Sequence, residues 1–184
     1  MLLVDHLSVF HRSSFSFLLF LRTVFVRHAS KEGLRMSVNP VIFEDQYKVT
    51  SVDPAGKKYL RVSRIVAKAD TLDIVISVDI NSDIYPITAG ERITIALAHT
   101  LDLDGQRESE YYDHSVYHRE SLMSQYDYVM HGQVFECNTD DQTLQKVYAL
   151  ASFGGLLMKV EGSVEVLRDV SFNKKFYILI KKGS

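Results

Sequence analysis

One cysteine and no tryptophan occur among the 184 residues. The single thiol, Cys137, cannot close a disulfide within the chain or supply an all-cysteine metal cluster, and it suits a reducing compartment such as cytosol or nucleus. Charge of one sign is not in excess: 21 basic side chains stand against 23 acidic ones, a net of −2, so electrostatics alone names no partner. A long hydrophobic run is also missing. The apolar stretch Ser14–Val26 is interrupted by Arg22 and falls short of the roughly 20 apolar residues that a membrane-spanning helix needs. No membrane partner is therefore expected. No nucleophile elbow, phosphate-binding Walker loop or dinucleotide fingerprint is present, and helical periodicity is nearly absent.

What is present is the mix of a soluble globular protein, 46% hydrophobic and 24% charged. The length suffices for one domain with a single core, and ten Tyr and ten Phe can supply its aromatic volume. Charge is unevenly spread. Residues 1–35 hold five Lys or Arg and two acids, which leaves 16 against 21 in the remainder, a net of −5. So acidic a body is a poor general binder of nucleic acid, because that binding depends on Lys and Arg neutralising phosphates. Residues 1–35 read as a leader, non-native or disordered, with translation starting at Met36 and the folded domain running 36–184. Their Arg and Ser content and apolar run leave a targeting segment as the alternative.

From residue 40 onward strand follows strand. In Leu72–Ile80, residues Leu72, Ile74, Ile76, Val78 and Ile80 share one face while Asp73, Ser77 and Asp79 take the other, the period of a half-buried strand. The same alternation occurs at Phe43-Tyr47-Val49, Ile93-Ile95-Leu97, Tyr126-Tyr128-Met130 and Phe176-Ile178-Ile180. Leu60–Ala67, Val147–Phe153 and Leu156–Val160 bring the number to about eight. Asp53-Pro-Ala-Gly56 and Tyr85-Pro86 with Gly90 punctuate them. Gly154-Gly155 can form a tight two-residue hairpin, and Gly132, inside a strand pattern, suggests a bulge or a bend at a barrel corner. The polar stretch from about Asp104 to Ser124 reads as one long mobile loop with room for a short helix. The expected fold is all-β, an antiparallel barrel closed so that no sheet edge is left exposed.

Chemistry-bearing residues do not assemble into a constellation. His99, His114, His118 and His131 are scattered, and none pairs with another or with Cys137 at a zinc-ligand spacing. Asp102-Leu-Asp104-Gly105 has its glycine in the wrong place for a calcium loop and reads as a turn. Glu108, Glu110 and Asp113 read as a solvated acidic loop, and Cys137 as a small buried hydrophobe. No catalytic residue, metal or cofactor is expected. One basic cluster stands out: Lys57, Lys58, Arg61, Arg64 and Lys68, without an acid among them. Tyr59 beside it could stack on a base, as in barrels that hold single strands. The competing reading is a solvated hairpin that guards a sheet edge or meets acidic residues of a protein partner. Lys174, Lys175, Lys181 and Lys182 read as charged gatekeepers around the apolar last strand.

Several segments together resemble a known family. They are Phe43-Glu-Asp45, Asp53-Pro-Ala-Gly-Lys-Lys58, Arg61-Val-Ser-Arg64, Ile84-Tyr-Pro86 with Gly90, and Thr100-Leu-Asp-Leu-Asp-Gly105. Tyr126-Asp-Tyr-Val-Met130 with Gly132, Ser152-Phe-Gly-Gly-Leu-Leu-Met158 and Phe176-Tyr-Ile-Leu-Ile-Lys-Lys182 continue the series. In order and spacing they are similar to the eighth small common subunit of nuclear RNA polymerases I, II and III, from about Val41 to Lys182. The resemblance implies a barrel of oligonucleotide-binding type, docked outside the largest subunit near its pore and funnel. It implies a nuclear, non-catalytic component with no cofactor of its own and weak, sequence-independent binding of single-stranded DNA. That activity would map to Asp53–Ile76, with Lys57, Lys58, Tyr59, Arg61 and Arg64. Members begin near the position of Met36, and residues from about Gln106 to Ser124 follow no family motif. A free-standing single-strand binder is the alternative, and a small hydrolase using His131 or the acidic loop finds no supporting constellation.

Overall fold

A computed structural model describes residues 39–105, 120–139 and 145–183. The expected leader lies outside the described residues, as does most of the expected loop.

Eight strands form: β1 (Val41–Val52), β2 (Val62–Ala69), β3 (Ile74–Asn81), β4 (Arg92–Ala98), β5 (Tyr128–Thr139), β6 (Lys146–Phe153), β7 (Leu156–Ser163) and β8 (Lys175–Lys182). They close into one antiparallel barrel in the order β1-β2-β3-β7-β6-β5-β8-β4. The alternation of apolar residues is the cause. Ile74, Ile76, Val78 and Ile80 of β3, Ile65, Ala67 and Ala69 of β2, and Ile178 and Ile180 of β8 all point into the barrel and are buried. Burying the Ile and Val side chains among them stabilises by about 1.5–3 kcal/mol each relative to exposure.

The pairing pattern maps onto itself when β1–β4 are exchanged for β5–β8. β1 pairs with both β2 and β4, and β5 with both β6 and β8; β3 meets β7, and β4 meets β8. The likeness extends to single residues. Val49 pairs with Ala67 just before a bulge at Thr50, and Val134 pairs with Ala151 just before a bulge at Phe135. The Val49 amide donates to the Glu91 carbonyl (2.9 Å) and accepts at its own carbonyl from Gly90 (2.8 Å); Val134 does the same with Lys174 and Asn173 (2.9 Å each). Gly90 and Asn173 both have positive φ, 89° and 66°. This correspondence makes each half of the barrel an internal control for the other.

Twelve-residue β1 and β5 must each turn a corner to serve two neighbours. In β5 the bulge falls at Phe135 rather than at Gly132. Gly132 instead makes room: a Cβ there would collide with Cδ1 of Phe153 and lie 2.6 Å from the Ser152 carbonyl. Gly154 and Gly155 have φ of 61° and 104° between the paired Phe153 and Leu156, which is the two-residue hairpin expected of them.

β4 departs from alternation, with Ile93 through Ala98 buried on both faces. The reason is tertiary. The chain returning from the 106–119 segment forms a single 3₁₀ turn, Leu122–Gln125, tied down by the Leu122 amide to the Leu101 carbonyl at 2.9 Å. Leu101 and Leu122 then cover Ala96, Ala98 and Leu179 on the outside of the barrel. The last part of the expected loop is thus packed structure. A one-turn helix, α1 (Val164–Leu167), anchors Leu167 in the core between β7 and β8.

Candidate docking and nucleic-acid surface

Apart from Lys68, near the far end of β2, the basic cluster lies at one end of the barrel, in the β1–β2 connection and the first half of β2. Asp53 begins the connection in the left-handed region (φ 49°), and the Gly56 amide donates back to its carbonyl at 2.8 Å, forming the turn expected of Asp53-Pro-Ala-Gly56. Lys57, Lys58 and Tyr59 follow, all exposed, with Tyr59 67% accessible. β2 starts at Val62, two residues later than the Leu60–Ala67 pattern suggested, and Arg61 precedes it with its side chain in solvent.

Of the two arginines, Arg64 is held by an acid within the sheet and Arg61 stands in solvent. Arg64 stands opposite Asp79 across β2 and β3 and grips it as a fork, Nε to Oδ1 at 2.6 Å and Nη2 to Oδ2 at 2.8 Å. Asp79 also accepts the Leu157 amide of β7 at 3.1 Å, and it is buried. The hydrogen bonds to Asp79 raise the Arg64 guanidinium pKa still further. Removing Arg64 would leave the buried Asp79 without its charge partner, which is what makes the pair a fastening between three strands. Arg61 pairs with Asp83 at 3.3 Å, a solvent-exposed contact of small worth. Lys68 lies on the outer face of β2 beyond Val66. The structure therefore brings Lys57, Lys58 and Tyr59 together as an exposed tip, while Arg61 and Arg64 are each engaged by an acid.

Sequence reading missed these acids because Asp79 looked like any solvent-facing residue of an alternating strand. The signal was present in the hairpin itself, since Arg64 and Asp79 lie equally far from the turn that joins β2 to β3. It also passed over Leu60 and Ile84, whose side chains are 91% and 70% exposed at that same end. Gly132, Gly154 and Gly155 hold backbone positions in the second half of the barrel.

Elsewhere the residues singled out for chemistry find other employment. Among the described residues no three His, Cys, Asp or Glu side chains gather where they could hold a metal ion, and no helix is long and apolar enough to cross a membrane. His114, His118, Glu108, Glu110 and Asp113 lie outside the described residues. Cys137 is part-buried with its Sγ 3.7 Å from the Val170 carbonyl, and burial pushes its thiol pKa up, away from the reactive thiolate. Asp102–Gly105 closes as a turn, the Gly105 amide donating to the Asp102 carbonyl at 3.1 Å. Lys181 and Lys182 do more than guard the last strand. Lys181 lies 4.7 Å from the centroid of the Tyr126 ring and 3.7 Å from Glu44, while Lys182 Nζ meets Glu91 at 2.9 Å and the Pro86 carbonyl at 2.7 Å.

The family model for RNA polymerase Rpb8 matches residues 44–182. The chain is 41% identical over 145 residues to the probable DNA-directed RNA polymerases I, II, and III subunit RPABC3 of Caenorhabditis elegans, covering 77% of this chain and 96% of that one. It is 38% identical over 144 residues to the corresponding rpabc3 subunit of Dictyostelium discoideum, 78% of this chain and 98% of that one. With RPABC3 of Saccharomyces cerevisiae it shares 32% over 148 residues, 77% and 97% of the two chains. A barrel with this strand order, carrying the motifs that stretch from Phe43 to Lys182, belongs to the RNA polymerase Rpb8 family.

Proposed function

We propose that this chain is a non-catalytic structural subunit shared by nuclear DNA-directed RNA polymerases I, II and III, held on the outside of the largest subunit. Family membership and the names of the relatives support the shared-subunit reading. The observation that carries the docking role is a pair of uncovered aromatic side chains, Phe135 on β5 and Phe172 in the β7–β8 turn, on stretches tied together by the Asn173 amide donating to the Val134 carbonyl at 2.9 Å. Phe135 and Phe172 are 46% and 68% exposed. The equivalents of the two phenylalanines in the other half of the barrel are Thr50 and Ala89, so barrel geometry does not demand them. Clustered exposed apolar side chains mark a protein interface, and interfaces favour aromatic residues at their centre. A stable interface buries about 1,600 Å² in total, within reach of one face of a barrel this size. Such a subunit resides in the nucleus with its polymerases, and nucleotide addition belongs to other chains of the complex.

The test is mass spectrometry of a native pull-down with the tag at the C-terminus. The expected result is recovery of the largest subunits of all three nuclear polymerases. Recovery of one polymerase class alone would refute the sharing, and recovery of none would refute the subunit reading.

A further inference from the structure

At the end of the barrel that carries the basic tip, two connections run side by side. The β2–β3 ladder reaches Val62 opposite Asn81 and is prolonged by the Ser82 amide donating to the Arg61 carbonyl at 3.0 Å. The Arg61–Asp83 ion pair closes the same clasp. Leu60 and Ile84 sit one residue outside it, on neighbouring stretches of chain, 91% and 70% exposed beside Tyr59 at 67%. Lys57 and Lys58 complete the tip, and neither makes an ion pair among the described residues.

We propose that Lys57, Lys58, Tyr59, Leu60 and Ile84 form a docking prong for a protein surface, an apolar slot rimmed by carboxylates on a large polymerase subunit. This rests on the subunit reading above and adds a second contact to the Phe135–Phe172 face. Four observations favour protein over a nucleic-acid strand. Of the three exposed apolar side chains only Tyr59 offers a ring for a base to stack on, and Leu60 and Ile84 are aliphatic, whereas single-strand sites interleave several aromatic platforms with cations. Arg64, one of the two arginines suited to phosphate, is gripped in a bidentate pair by the buried Asp79. The body outside residues 1–35 carries a net charge of −5, which repels a polyanion. Finally, the equivalent β5–β6 connection contains Asp140 and Asp141 and neither Lys nor Arg, so the barrel itself does not require this tip. Two lysines without acidic partners, set around exposed aliphatic side chains, match a slot of opposite charge and like polarity.

The test compares two double variants, Leu60→Ala with Ile84→Ala and Lys57→Glu with Lys58→Glu, each C-terminally tagged in cells that also make the wild-type chain. Recovery of the largest polymerase subunits is measured per unit of bait. Binding of a fluorescent oligothymidine is measured on the purified proteins at about 150 mM salt, where exposed charges act over only about 8 Å. All four positions are exposed, so both variants should melt with the wild type. Recovery is expected to fall at least about fivefold in each, while the Leu60/Ile84 variant keeps wild-type oligothymidine affinity, because aliphatic side chains do not stack on bases. Undiminished recovery in either variant, or oligothymidine binding lost with the aliphatic pair, overturns the prong. Failure of the wild type itself to recover polymerase chains overturns the subunit reading and the prong together, which separates the two failures.

Discussion

Tyr47 and Phe153 fill equivalent places in the two halves of the barrel, but from opposite strands. In the first half the aromatic ring stands on β1, with Ala69 of β2 opposite. In the second half β5 contributes Gly132, and the ring comes from Phe153 of β6. The volume is conserved while its donor changes. Tyr47 is fully buried, and its hydroxyl is without a hydrogen-bond partner among the described residues; burial first, and the charge of Asp45 second, push its pKa well above the ordinary phenol value. An unsatisfied buried polar group costs about 1–3 kcal/mol. Tyr47→Phe should therefore stabilise the protein by about 1 kcal/mol, read as a higher urea midpoint at unchanged slope. A lower midpoint would show that the hydroxyl is bonded after all. Sequence could place Tyr47 on an inward face, but not tell that its oxygen would find no partner. That depends on atoms contributed by distant strands.

Among the elements, the β6–β7 hairpin was the most legible. Apolar runs on both sides and two consecutive glycines left no other place for the chain to turn. Its two positive φ values are what side chains with a Cβ resist, at about 1–2 kcal/mol per residue, more so when branched. Nothing lies within 4 Å of a Cβ added at Gly154 or Gly155, so the cost there is conformational and not steric crowding. Gly154→Val combined with Gly155→Val should lower stability by about 2–4 kcal/mol, measured by urea unfolding, while Gly155→Asn should retain most of it because Asn tolerates this region. Equal loss in the Asn variant would point to crowding instead. β4 was less legible. Its inner residues Ile93, Ile95 and Leu97 announced a half-buried strand, but burial of Thr94, Ala96 and Ala98 follows from Leu101 and Leu122 folding over it. No alternation within β4 encodes a cover supplied from beyond the 106–119 segment.

Across the whole molecule, carboxylates tie the connections to the barrel. Glu91 accepts the Thr88 amide at 2.8 Å and meets Lys182 of β8 at 2.9 Å; the Thr88 hydrogen bond leads in holding its pKa below the usual 4.5. Burial alone would raise the pKa of Asp45, yet the amides of Leu72, Thr71 and Gln46 outweigh it and hold the group below 3.8. Folded values lowered in this way contribute stability that is complete above the unfolded pKa and lost as pH falls through the folded one. Glu91→Gln should melt slightly below the wild type at pH 7, and the two melting temperatures should converge as pH drops below about 4.5. A gap that persists at pH 3 would mean that Glu91 acts through shape rather than charge. Alternating apolar residues, paired glycines and turn dipeptides, all local, determined by themselves that this chain is an antiparallel barrel of about eight strands. Its motifs added the family. Only the tertiary structure decided that Asp79 is buried and also accepts the Leu157 amide of β7, that Leu60 and Ile84 stand out beside Lys57 and Lys58, and that one half carries phenylalanines where the other has Thr50 and Ala89. Register across a closed barrel joins residues far apart in the chain, and local periodicity holds no record of which residues will meet.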